Sequence, residues 1–198
     1  MLKQKIITSS ERTIYSYNYL QSAASSALKQ AERTKEEQFY NCMSSIILSA
    51  FCIEAYLNHI GEKILPYWDE EFKKGLSIQN KLKVICHELN LSPDYSRTPF
   101  QSITDIIKYR NSLAHAESET ISDKRTQIVQ GNRPISEPET WWEKHTNLKR
   151  AKRWLTDIKS VIKEIHKAAG VEGDPFLIMG TGSYSGTLVN KRTPSSQE

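Results

Sequence analysis

KEEQFYNCMSSIILSAFCIEAYLNHIGEKI, residues 35–64, is the longest apolar segment of the chain, and its reading decides the fold. Phe39, Met43, Ile46, Ile47, Ala50, Phe51, Leu57 and Ile60 recur at three- and four-residue steps, the period of an amphipathic helix rather than the alternation of a strand. The spacing predicts a central helix from about Lys35 to Ile64, closed by Pro66. One residue breaks its apolar stripe. Glu54 falls within about 60° of Ile47, Ala50, Phe51, Leu57 and Gly61 on a helical projection, and a carboxylate held there requires a partner because an unpaired buried charge is costly.

Working outward, a first helix is expected from Ser9 or Ser10 to about Arg33, with Ile14, Tyr17, Leu20, Ala24, Ala27, Leu28 and Ala31 inward and serine as its N-cap. After Pro66, Tyr67 to Phe72 is an aromatic and acidic connector. Ser77 then caps a third helix through Ile78, Leu82, Ile85, Leu89 and Leu91, and Pro93 and Pro99 bracket a turn. A fourth helix runs from about Thr98 to just past His115 on Ile103, Ile106, Ile107, Leu113 and Ala114. Periodicity is lost from Glu117 to Glu139, a long connection that leaves from His115 and reads either as a functional lid or specificity loop or as a mobile segment. The last helix is expected from Pro138-Glu139-Thr140 to Ala169, stopped by Gly170. Val171 to Glu198 is rich in Gly, Ser and Thr and reads as an irregular tail, or as a hairpin of Phe176–Met179 with Thr187–Val189. These segments together predict an all-α, up-and-down bundle of about five helices in residues 1–170, followed by a flexible or hairpin-like tail in 171–198.

A chain of 198 residues with 38% hydrophobic content suits one domain with one core. No run reaches the ~18 apolar residues of a membrane span, and Met1 to Lys5 leads into polar sequence without a signal-peptide core, so the expected location is the cytoplasm, with no membrane partner. Cys42, Cys52 and Cys86 form no C-x-x-C pair and read as buried free thiols. His59, His87, His115, His145 and His166 are scattered and make no metal-ligand pair, and Gly180 to Gly186 lacks the lysine and spacing of a phosphate loop. No metal and no cofactor are expected. Net charge is +4, with a local cluster at Lys149, Arg150, Lys152 and Arg153 beside Trp154 that offers candidate RNA contacts.

Chemistry concentrates in Tyr109-Arg110-Asn111-Ser112-Leu113-Ala114-His115. At ~100° per residue, Arg110 projects from the apolar stripe while His115 lies roughly 140° around the helix from it. Asn111 and His115, four apart, share a polar line that continues back through Lys108 and Thr104. Arg110 and Glu54 pose complementary problems on two helices, so they are expected to meet, either as an ion pair that fixes register or as a carboxylate orienting a catalytic guanidinium, the alternative partner for Glu54 being water or a tyrosine hydroxyl. Ser112 lies three residues from His115 but has no third orienting group, which leaves a serine nucleophile unsupported. An arginine for phosphate and a histidine for proton transfer suit RNA cleavage by the RNA's own 2′-hydroxyl, with no metal. One histidine does not readily serve both proton transfers, whereas two copies about a two-fold axis supply two.

Arg110-Asn111-Ser112-Leu113-Ala114-His115 resembles the R-N-x-x-x-H motif of the HEPN superfamily, the higher eukaryote and prokaryote nucleotide-binding helical domains. The acid-bearing helix around Phe51-Cys52-Ile53-Glu54-Ala55-Tyr56-Leu57-Asn58 resembles that family's context, and the likeness in architecture spans roughly Thr8 to Ala169. The resemblance implies an all-α bundle, homodimerisation through the motif face and, in active members, metal-independent endoribonuclease activity leaving 2′,3′-cyclic phosphate. It also implies a place in toxin–antitoxin or antiviral-defence systems, with an antitoxin or defence protein as partner. Carried over by position, Arg110 binds phosphate and stabilises the transition state, Asn111 positions, and His115 is the acid/base; Glu54, Lys108, Tyr109 and Ser112 are supporting candidates from the reading of the residues themselves. Other members are binding modules without catalysis, so a non-catalytic nucleotide-binding or protein-interaction module stands as the alternative expectation.

Overall fold

The computed structural model describes residues 6–122, 124 and 137–188. The expected central helix is present as α2, Gln38–Ile64, and the expected first helix as α1, Ser16–Arg33. Their contact is built from small side chains. Ala24 and Ala31 of α1 and Ser45, Ser49 and Ala50 of α2 are buried, which lets the two backbones approach closely. Ser45 Oγ then donates to the Ala24 carbonyl at 2.9 Å, and Cys52 Sγ donates to the Tyr17 carbonyl at 3.3 Å, so the polar atoms of that seam are satisfied.

Five further helices follow α2 along the described chain. α3 (Glu70–Gly75) is the short turn expected of the aromatic connector, N-capped by Asp69, whose carboxylate accepts from the Phe72 N–H at 2.7 Å. α4 (Ile78–Glu88) is capped by Ser77 as its sequence predicts. α5 (Phe100–Ala114) carries the R-N-x-x-x-H stretch. The single last helix expected from Pro138 to Ala169 is two: α6 (Trp141–His145) and α7 (Leu148–Ala168). Thr140 and Glu143 form a reciprocal capping box on α6, and Asn147 caps α7, so the sequence between them carries both a stop and a fresh start. Around α2 pack α1, α4, α5 and α7, with Ile53, Leu57, Ile60, Leu82, Ile85, Ile103, Ile106, Trp154, Ile158 and Ile162 in the core between them.

The all-α expectation is corrected at both ends of the chain. Ile6–Ile14, read as the approach to and start of the first helix, is strand β1, and Gly180–Leu188 is strand β2. They pair antiparallel from Ile6 opposite Leu188 to Ile14 opposite Gly180. The sequence signal missed was the composition of IITSSERTI, whose Ile and Thr favour extended backbone. Its partner was misplaced too: Phe176 to Met179 is not a hairpin strand but the approach to β2, anchored where Tyr15 N–H donates to the Met179 carbonyl at 2.9 Å and Asn18 donates to the Ile178 carbonyl. The mostly helical body therefore carries a two-stranded ribbon joining the two ends of the described chain. The lid expected at Glu117–Glu139 lies largely outside the described residues, as does the end of the expected tail.

Helix α2 is long and apolar enough to cross a membrane by length and composition. Cys42, Ile46, Ala50, Ile53, Leu57 and Ile60 are buried against its helical neighbours, whereas Phe39 and Phe51 of the expected stripe are exposed.

Candidate functional site

Arg110 leaves the last turns of α5 toward α2, and its Nη2 lies 3.6 Å from Glu54 Oε2. The meeting expected of the two anomalous charges is thus present in the geometry. At that distance the pair is an ion contact rather than a close hydrogen bond. Arg110 also donates through Nη1 to Asn111 Oδ1 at 3.0 Å, and its guanidinium carbon stands 5.7 Å from the centre of the Phe51 ring. Its Nε is buried without a hydrogen-bond partner among the described residues. The side chain keeps about a quarter of its surface, 26%, in solvent. The guanidinium is therefore held between an aromatic ring and a carboxylate while part of the fork stays accessible.

A second cation shares the carboxylate. Lys81 of α4 is 5% exposed, and its Nζ lies 3.8 Å from Glu54 Oε1. Sequence reading passed over it, although the signal was the one that exposed Glu54: Ile78, Lys81, Leu82 and Ile85 stand at i, i+3, i+4 and i+7, placing an ammonium on an apolar stripe. Two unit charges near 3.7 Å attract by roughly 4 kcal/mol at an effective dielectric of about 20, and desolvation of each group offsets much of that.

The other expected site residues divide. His115 is exposed and forms the C-cap of α5, its N–H donating to the Asn111 carbonyl at 3.1 Å. Asn111 is exposed on the same side. Tyr109 does not support the site: it is fully buried, its hydroxyl hydrogen-bonds Thr146 Oγ1 at 2.5 Å, and its ring meets Trp154 edge-on at 5.8 Å. Burial raises its pKa above the ordinary phenol value, which fits a structural hydroxyl. Ser112 Oγ donates back to the Tyr109 carbonyl at 2.8 Å, so the hydroxyl serves the helix backbone. Lys108 lies over the Trp141 ring, 4.3 Å from its centre.

The basic cluster lies on the first turns of α7. Lys152 pairs with Glu32 at 3.3 Å, Arg153 with Asp157 at 3.6 Å, and Arg150 stacks 5.9 Å from the Trp154 ring, while Lys149 is exposed. Two of the four charges are thus matched by acids. Tyr109 of α5 meets Trp154 of α7, which brings the end of α5 and the beginning of α7 to the same end of the body.

Among the described residues no group of His, Cys, Asp and Glu is arranged to hold a metal ion. All three cysteines are free and buried, with burial pushing the Cys52 thiol up to about 12 and Cys86 up to about 11. No family model matches the chain, and neither curated proteins nor solved structures give a significant match.

Proposed function

We propose that the chain is a HEPN-like, metal-independent endoribonuclease of toxin or antiviral-defence type that cleaves RNA by attack of its own 2′-hydroxyl at a site assembled from two copies. The observation that carries the reading is the accessible Arg110 fork held by Glu54, with His115 exposed at the C-terminal end of the same helix. In this mechanism Arg110 binds the scissile phosphate and stabilises the charged phosphorane, and Asn111 keeps the guanidinium turned outward. His115 of one copy removes the 2′-proton, and its equivalent on the second copy protonates the leaving 5′-oxygen. Lys149, Arg150, Lys152 and Arg153 supply the flanking positive surface along which the strand lies, the last two after exchanging their carboxylates for phosphate.

The test is cleavage of mixed RNA in EDTA by wild type and by His115→Ala. Wild type is expected to cut, and the variant to lose at least about 100-fold, the lower range for removing a general acid or base, while remaining folded. Equal cutting by the two proteins would overturn the assignment. A second reading, a non-catalytic nucleotide-binding or interaction module, draws on the Glu54 contact, which gives Arg110 work in the fold independent of RNA.

A further inference from the structure

Lysine is almost never fully buried without a partner, yet Lys81 is 5% exposed on the inner stripe of α4. Among the described residues Glu54 is the one carboxylate within ion-pair reach of Lys81 or of Arg110. The two cations approach different oxygens, Lys81 at Oε1 and Arg110 at Oε2. One negative charge is divided between two positive ones, and the cluster carries a net charge of +1.

We propose that Lys81 sets the charge of the Arg110 site: by engaging Glu54 from beneath, it keeps the guanidinium from closing into a neutral pair and leaves it able to take a phosphate group. The inference rests on the reading of Arg110 as the phosphate-binding residue and adds what makes that arginine available. Among the described residues, Asn111 Oδ1, the Phe51 ring and the shared carboxylate approach the guanidinium. Neither of the first two removes its charge, so the division of Glu54 decides how much positive potential faces solvent. Among the described residues, buried Lys81 reaches an anion only at Glu54 and is therefore a positioning residue rather than a catalytic one. If Lys81 merely anchored α4 to α2, its loss would weaken the fold and leave the charge at Arg110 of no consequence. The two roles differ in arithmetic. Wild type is +1, Lys81→Met is 0, Glu54→Gln is +2, and the double variant returns to +1.

The experiment titrates inorganic phosphate at constant ionic strength into these four proteins and into Lys81→Arg, following the Arg110 Nε–Hε resonance by NMR. Lys81→Met is expected to bind phosphate more weakly by on the order of tenfold, the effect of one unit charge at this range. The double variant and Lys81→Arg should return to within about threefold of wild type, with Glu54→Gln at least as tight as wild type; so close a rescue is the mark of coupled neighbours. Phosphate binding by Lys81→Met equal to wild type overturns the proposal, as does a double variant as weak as Lys81→Met. Should Lys81→Met not fold, the proposal still fails if Glu54→Gln binds phosphate more weakly than wild type. Cleavage of RNA in EDTA, measured on the same preparations, separates the two readings. A wild type that binds phosphate in the expected order but cuts no RNA refutes the ribonuclease alone, while RNA cutting without that order refutes the role of Lys81 alone.

Discussion

Glu54 is the residue on which the site turns, because it is the shared counter-charge of a buried ammonium and a partly exposed guanidinium. Removing its charge leaves Lys81 buried beside a neutral amide. Glu54→Gln is expected to lower stability by about 1–3 kcal/mol, read by chemical denaturation, and an unchanged midpoint would show that the carboxylate holds neither cation. Arg110→Lys keeps the positive charge but loses the planar fork that lies on Phe51 and reaches Asn111. Cleavage by Arg110→Lys should fall by at least about 30-fold, the kinetic equivalent of ~2 kcal/mol; activity at the wild-type level would count against a bidentate role.

At the scale of elements, the glycines separate what the body needs from what the ribbon needs. A Cβ on Gly61 of α2 would come within 2.3 Å of the Trp68 ring, in the buried connector, whereas a Cβ on Gly180 would come within 2.2 Å of the Thr13 carbonyl in the exposed ribbon. Gly61→Ala is therefore expected to destabilise the whole protein by about 2 kcal/mol, the usual scale of overpacking. Gly180→Ala should leave the thermal midpoint of the helices nearly unchanged while amide protection is lost across Ile6–Ile14. A large drop for Gly180→Ala would mean that the ribbon, with β1 exposed along its whole length, contributes to the core after all. The helices were legible because Ile and Leu at 3.6-residue spacing announce a buried face, and so was the Glu54–Arg110 meeting, since each charge interrupts such a face. The strands were not legible. β1 buries nothing and carries no alternation of burial, and its pairing with β2 joins residues more than 160 apart, which local pattern does not encode. Lys81 was legible in principle, as a charge on the stripe of α4, and Tyr109 was misassigned because nearness in sequence to Arg110 says nothing about which face a neighbour occupies.

For the molecule as a whole, the packing of α1, α2 and α7 buries His166 and half-buries His59 away from the candidate site. His59 lies against the Tyr15 and Tyr17 rings, and His166 Nδ1 hydrogen-bonds the Tyr56 hydroxyl at 3.2 Å. Burial first, and Lys63 nearby, lower the pKa of both below the ordinary histidine value, despite the opposing pull of Glu62 on His59 and of the Glu172 backbone and Asp174 on His166. A histidine whose folded pKa lies below its unfolded one adds stability that is complete above the unfolded value. That stability is lost as pH falls through the folded value, because the unfolded state takes up the proton first. The thermal midpoint is expected to fall between about pH 7.5 and pH 5, with the slope reduced in His166→Gln; the same slope in that variant would place the titration elsewhere. A composite site further requires association, and light scattering at micromolar protein should give twice the 22.7 kDa chain mass. A monomer would leave one His115 to perform both proton transfers. The most direct measurement of the central claim is the chemistry of the RNA ends produced by wild type in EDTA. The expected ends are 2′,3′-cyclic phosphate on the upstream fragment and a free 5′-hydroxyl on the downstream one, and 5′-phosphate ends, or no cutting by folded dimeric protein, would overturn the ribonuclease mechanism.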